Sequence, residues 1–217
     1  MHQYQIFKKE FEQAVINAGR NIQDVNLIAV SKRKNLEDIK QVIELGHESF
    51  GENQMQEVEK KWLKIKNSYQ KLKLHYIGSI QSRKTEAIFK SCDVIHSVDR
   101  IKVVKQIKQL EKECNEVKDY FIQINTGDEP QKSGVLLSQA DEFIDTCIKK
   151  YDLNVLGLMC LPPLQDNPKS HFETLRELAS NFNLKYLSMG MSGDYITAIQ
   201  CGATHIRIGT SIFGERS

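Results

Sequence analysis

The sequence predicts an α/β fold, a (β/α)8 TIM-type barrel forming a single domain over residues 1–217, with an extra helix at its N-terminal end. Three observations predict it. Short apolar runs alternate with longer amphipathic segments along the whole chain, and eight such runs are found. Strands that alternate with helices call for parallel βαβ units. No Pro/Gly/Ser-rich linker, low-complexity tract or break in composition divides the 217 residues. Eight units close naturally into a barrel, with an open doubly wound sheet as the alternative.

The first element is a helix over about residues 3–18, stopped near Gly19. The run 25–32 (VNLIAVSK) is the first strand. Asn35 then offers an N-cap, and Leu36, Ile39, Val42 and Ile43 recur at helical spacing up to Gly46. Residues 48–53 (ESFGEN) are the second strand, and QMQEVEKKWLKIKNSY is its helix, with the charge run read as a solvated face around Trp62. Strands follow at 72–79 (LKLHYIGS), 93–98 (DVIHSV) and 119–125 (DYFIQIN). A loop with Gly127 and Gly134 leads into a helix from about Ser138 to Tyr151. The sixth strand, 153–160 (LNVLGLMC), is stopped by Pro162 and Pro163. The seventh spans 184–192 (LKYLSMGMS), DYITAIQCGA is a short helix, and 205–214 (HIRIGTSIFG) holds the eighth strand.

Composition narrows the function classes. Thirty Lys+Arg stand against 28 Asp+Glu, with the signs interleaved, so no broad field draws nucleic acid or an anionic membrane. Five widely spaced cysteines with no C-x-x-C pair fit reduced thiols in a cytosol. No apolar run approaches the ~20 residues of a membrane span. The opening MHQYQIFKKEFEQAV has charges where a signal peptide needs its apolar segment. A cytoplasmic monomer is expected.

Reactive groups in such a barrel collect where strands end and loops to helices begin. The first strand ends in Ser31-Lys32, so the stem of Lys32 would start inside the barrel mouth. A partly desolvated lysine there has a lowered pKa and becomes a usable amine for a Schiff base. By itself such a lysine is more often the start of a solvated turn; the other strand ends argue against that. The seventh gives Gly190-Met191-Ser192-Gly193 and the eighth Arg207-Ile208-Gly209-Thr210. Both offer backbone N–H groups and a hydroxyl, the parts that cradle a phosphate, and the first also a helix N-terminus. Asn53, at the end of the second strand, could hydrogen-bond a ligand ring or cap the next helix. The six histidines have no metal-ligand spacing, so no metal is expected. His75 and His96 sit in strands and could face one another as satisfied core histidines. Lys132 is a loop lysine near the mouth, and Met159, Met189 and Met191 are barrel filling.

Together Ala29-Val30-Ser31-Lys32, Phe50-Gly51-Glu52-Asn53, His75-Tyr76-Ile77-Gly78 with Gln81-Ser82, and Gly157-Leu158-Met159 before Pro162-Pro163 form an ordered set. Leu187 to Ser192 and Ile206 to Thr210 complete it. The set resembles the pyridoxal phosphate homeostasis protein family over nearly the whole chain. Departures are Gln54-Met55, where the family commonly has an aromatic or aliphatic pair, and Arg83, where it usually has Asn. The resemblance implies a barrel like the alanine racemase N-terminal domain, holding pyridoxal 5′-phosphate (PLP) as a Schiff base on Lys32. It further implies Ser192, Gly209 and Thr210 on the phosphate, Arg207 facing the pyridine nitrogen and Asn53 beside the ring.

Three functions remain in view: a PLP homeostasis protein that passes the cofactor to PLP-dependent apo-enzymes, a PLP-dependent amino-acid racemase, and a barrel aldolase. Carbanion-forming PLP enzymes generally place a carboxylate at the pyridine nitrogen, whereas Arg207 can only donate hydrogen bonds. A racemase tolerates that, but it also needs a second acid/base, which alanine racemases take from a tyrosine on an additional domain expected to be missing here. The homeostasis protein without a dedicated catalytic residue is therefore the expectation.

Overall fold

The structure is a computed structural model, and it describes residues 2–214. Eight strands close into a ring in which every neighbouring pair is parallel. They are β1 (Asn26–Val30), β2 (Ser49–Glu52), β3 (Lys73–Tyr76), β4 (Val94–Val98) and β5 (Asp119–Asn125), then β7 (Val155–Cys160), β8 (Tyr186–Ser188) and β9 (His205–Ile208). The ring closes where β1 pairs with β9, Ile28 opposite Arg207 and Ala29 opposite Ile208. The predicted barrel is thus the observed one.

Buried on both faces, these strands are nearly continuous apolar runs, as parallel sheets require. In β1, Leu27, Ile28, Ala29 and Val30 are all buried. One strand was not expected. Val135–Leu136 forms β6, which pairs with Ile124 and Asn125 of β5, beyond the last β4 pairing at Val98–Ile122. Two residues carry no periodicity, so only the neighbouring edge reveals them. Two predicted strands are shorter than their apolar runs. Residues 189–192 leave β8 for a turn, and Thr210–Phe213 form the short helix α10.

The remaining helices surround the ring: α1 (Gln3–Asn17), α2 (Leu36–Glu44), α5 (Thr85–Ser91), α6 (Ile101–Cys114), α7 (Leu137–Asp145), α8 (Pro168–Asn181) and α9 (Tyr195–Gln200). The expected helix after β2 is present but interrupted: α3 (Met55–Glu57) runs into a π-helical turn, Val58–Trp62, and then α4 (Leu63–Ser68). Helix α1 buries Tyr4, Phe7, Phe11 and Val15, an i, i+3/i+4 stripe, and stops before Gly19 at φ +69°. Its stripe lies on the barrel's closing side, with the Phe7 ring 5.4 Å from that of Tyr195 on α9. The thiols of Cys92, Cys147, Cys160 and Cys201 are buried; that of Cys114 is exposed. No helix among the described residues is long and apolar enough to cross a membrane.

Candidate functional site

At the C-terminal end of the ring lies a cavity of about 360 Å³. Lys32, Asn53, Ser192, Arg207, Gly209 and Thr210 all line it. Residues from distant parts of the sequence are brought together because β1, β2, β8 and β9 are consecutive in the ring.

Lys32 follows β1 in a turn closed by Lys34 N–H donating to the Ser31 carbonyl at 3.1 Å. Arg33 occupies the left-handed region at φ +60°, which costs a non-glycine residue about 1 kcal/mol. A buried ion cluster holds the turn on both sides of Lys32. Lys61 Nζ donates to the Ser31 carbonyl at 2.8 Å, and the Arg33 N–H donates to Glu57 Oε2 at 2.6 Å. Lys61 also pairs with Glu52 at 2.6 Å and Glu57 at 2.7 Å. Glu52 Oε1 further accepts from Ser31 Oγ (2.7 Å) and Trp62 Nε1 (3.0 Å).

Sequence reasoning missed this cluster. The charge run that reads as a solvated face contains Lys61, whose side chain is only 6% exposed. The π-helical turn turns both Lys61 and Trp62 inward. Burial pushes the Glu52 carboxyl up, with Lys61 pulling against it. Burial also raises Glu57, but hydrogen bonds from Lys61 and the Arg33 N–H outweigh it and hold that carboxyl below its ordinary range. The one sequence signal was the adjacency of a lysine to the chain's single tryptophan.

Asn53 leaves β2 against Gly78, where a Cβ would collide with the Asn53 carbonyl oxygen. Arg207 is 4% exposed and donates from Nη1 to Ser188 Oγ at 2.6 Å and from Nη2 to the Cys160 carbonyl at 2.9 Å. Burial lowers its pKa from the ordinary arginine value, yet the guanidinium remains a donor-only group.

On the other wall, Gly190 stands at φ +94° with its Cα face against α9, where a Cβ would come 2.6 Å from that of Ala198. The chain then turns through Met191–Asp194. Asp194 Oδ1 accepts the Met191 N–H at 2.6 Å, while the N–H groups of Ser192 and Gly193 have no acceptor among the described residues. The expected helix dipole is a lesser matter, because α9 has six residues and α10 four; the site offers individual N–H groups and hydroxyls instead. Beside Gly193 there is open space.

Met191, expected as filling, lines the cavity instead. Met159 and Met189 are buried as expected. Lys132 pairs with Glu129 at 2.5 Å and donates to the Pro162 carbonyl, and it is not part of the lining. Among the described residues no cluster of His, Cys, Asp and Glu could hold a metal ion.

The alanine racemase N-terminal domain family matches residues 11–217. A protein of Aquifex aeolicus (strain VF5) named pyridoxal phosphate homeostasis protein is 36% identical, over 96% of this chain and 94% of that one. The chain belongs to the pyridoxal phosphate homeostasis protein family. PipY of Synechococcus elongatus PCC7942, solved without PLP, superposes with a TM-score of 0.84 at 28% identity, covering 94% of this chain and 99% of that one. Its PLP-bound form superposes at 0.82 and 26%, over 94% of this chain and all of that one. Alanine racemase of Clostridium difficile 630 shares the fold alone, with a TM-score of 0.71 at 12% identity; 94% of this chain corresponds to 55% of that enzyme.

Proposed function

We propose that the cavity binds PLP and that the chain serves PLP homeostasis, holding the cofactor reversibly on Lys32 and yielding it to PLP-dependent apo-enzymes. The observation that carries this is the convergence of Lys32, Arg207 and the Ser192/Gly209/Thr210 hydroxyls and N–H groups on one cavity. Its ~360 Å³ lies within the roughly 300–1,000 Å³ usual for small-ligand sites. The naming of the family relatives and PLP-bound PipY support it.

In this reading Ser192, Gly193, Gly209 and Thr210 grip the phosphate. Asn53 flanks the ring, and Arg207 donates toward the pyridine nitrogen. Lys32 Nζ would be the amine that meets the aldehyde. Bound PLP supplies an aldehyde and an electron-accepting ring. What this chain would do to that ring is restrictive: Arg207 donates hydrogen bonds but does not yield a proton, so a ring nitrogen facing it would stay unprotonated and the sink weak. A racemase would tolerate a weak sink, so the choice turns on another group. A second acid/base is required, and Lys34, the other lysine of the lining, is engaged with the Phe213 and Gly214 carbonyls at 3.0 and 3.3 Å.

The purified protein mixed with PLP should show a visible imine absorbance that borohydride fixes onto Lys32 and that Lys32→Ala abolishes. Arg207→Gln should alter the spectrum more than the affinity. Borohydride labelling at another lysine would refute the assignment. Sustained turnover of a D- or L-amino acid at roughly 1 s⁻¹ or more would reverse the choice between carrier and racemase.

A further inference from the structure

Beneath the cavity a hydrogen-bonded chain of side chains crosses the barrel interior. Arg207 Nη1 donates to Ser188 Oγ at 2.6 Å, and Ser188 Oγ lies 2.8 Å from His96 Nδ1. His96 Nε2 is 2.9 Å from His75 Nδ1, and His75 Nε2 is 2.9 Å from Ser49 Oγ. The chain joins β9 and β8 to β4, which is not their neighbour in the ring, and then returns through β3 to β2. Arg207, Ser188, His96 and His75 are each at most 4% exposed.

The arginine fixes the direction of every bond in this chain. A guanidinium donates and never accepts. Ser188 Oγ therefore spends a lone pair on Arg207, and its single proton needs an acceptor in a fully buried place. His96 Nδ1 is the acceptor in reach among the described residues. That makes His96 a neutral ring with its proton on Nε2, which it donates to His75 Nδ1. The same logic puts the His75 proton on Nε2, donated to Ser49. A second proton, on His96 Nδ1, would instead make the ring a cation set against a hydroxyl already solvating Arg207, with His75 and His205 close by (His205 ring centroid 5.9 Å from that of His96). Burial, aided by His205, Lys73, His47 and Arg207, pushes both histidines well below their ordinary pKa. Phe121 stacks on His96 at 4.3 Å and 10°, fixing the ring plane.

We propose that His96 and His75, acting through Ser188, are positioning residues for Arg207: a one-directional hydrogen-bond chain that locks both rings as neutral Nε2–H tautomers and holds the guanidinium at the cavity floor. Its consequence for the cofactor rests on the PLP reading above; the chain itself does not.

Long-range ¹H–¹⁵N correlation on the ligand-free protein tests the chain without any substitution. Pyridine-type Nδ1 and pyrrole-type Nε2 signals are expected for both His75 and His96; an Nδ1–H tautomer or an imidazolium at His96 overturns the proposal. The Arg207 Nη protons should be separately resolved through slow rotation. They should merge in His96→Phe and separate again in His96→Gln, whose amide can accept from Ser188 and donate to His75. Arg207 signals that stay resolved in His96→Phe overturn the positioning role. With PLP bound, His96→Phe should shift the visible spectrum in the same direction as Arg207→Gln, and a spectrum identical to the parent's overturns the link to the cofactor. A parent protein that forms no imine with PLP would sink the cofactor reading, while the tautomer measurement would still decide for or against the chain.

Discussion

Lys32 owes its place to two peptide groups, its neighbours' Ser31 carbonyl and Arg33 N–H, each held by a charged side chain from beyond the next strand. Asn53 owes its place to the lack of a side chain at Gly78. There the methyl group of Gly78→Ala has backbone to displace, not the end of a flexible side chain. The variant should lose about 1–3 kcal/mol of stability and bind PLP more weakly, read by urea unfolding and by PLP titration; unchanged values for both would show that the strand end yields freely. The residues that line the cavity were legible because a parallel barrel gathers the C-terminal ends of its strands at one mouth, where Lys32, Ser192 and Thr210 were sought. Nothing comparable marks Lys61, and a place at a strand end does not foretell the partners of Glu52 or Ser188, which come from distant parts of the sequence.

At the scale of elements, the interrupted helix 55–68 carries the most weight. Without its π-helical turn a lysine beside a tryptophan would not both face the core. Lys61→Met leaves the Glu52 carboxylate buried without its cation, and breaking a buried pair this way costs about 3–5 kcal/mol. Pairing Lys61→Met with Glu52→Gln should recover part of that loss, because the two effects are coupled. Urea midpoints of the two single variants and the double variant measure it, and strictly additive losses would argue against a single cluster. The strands were legible from their apolar runs, since both faces of each are covered. Their ends were not: 189–192 and 210–213 are as apolar as the strands they follow, and only the loss of a pairing partner turns them into a turn and a helix. The two-residue β6 exists only because β5 outruns β4.

Over the whole molecule, the buried histidines make stability depend on pH. Burial holds His47 neutral, its pKa lowered to about 4, and His75 and His96 are also pushed well down. The unfolded chain takes up protons near the ordinary histidine value of about 6.5 that the folded chain refuses. Stability is therefore whole above that pH and declines as the pH falls toward 4, by about 2 kcal/mol at pH 5 for a ring such as His47. Urea midpoints at pH 7.5 and 5.0 should differ accordingly, and equal midpoints would mean that these rings gain no proton on unfolding.

The distribution of sulfur has a practical side. Burial pushes the Cys92, Cys147 and Cys160 thiols up to about 12 and raises that of Cys201, so at neutral pH they offer almost no thiolate to an electrophile. Among the described cysteines Cys114 alone reaches solvent, at the end of α6. A maleimide dye added to the native protein thus has, among the described residues, one natural point of attachment, and no engineered labelling site is needed.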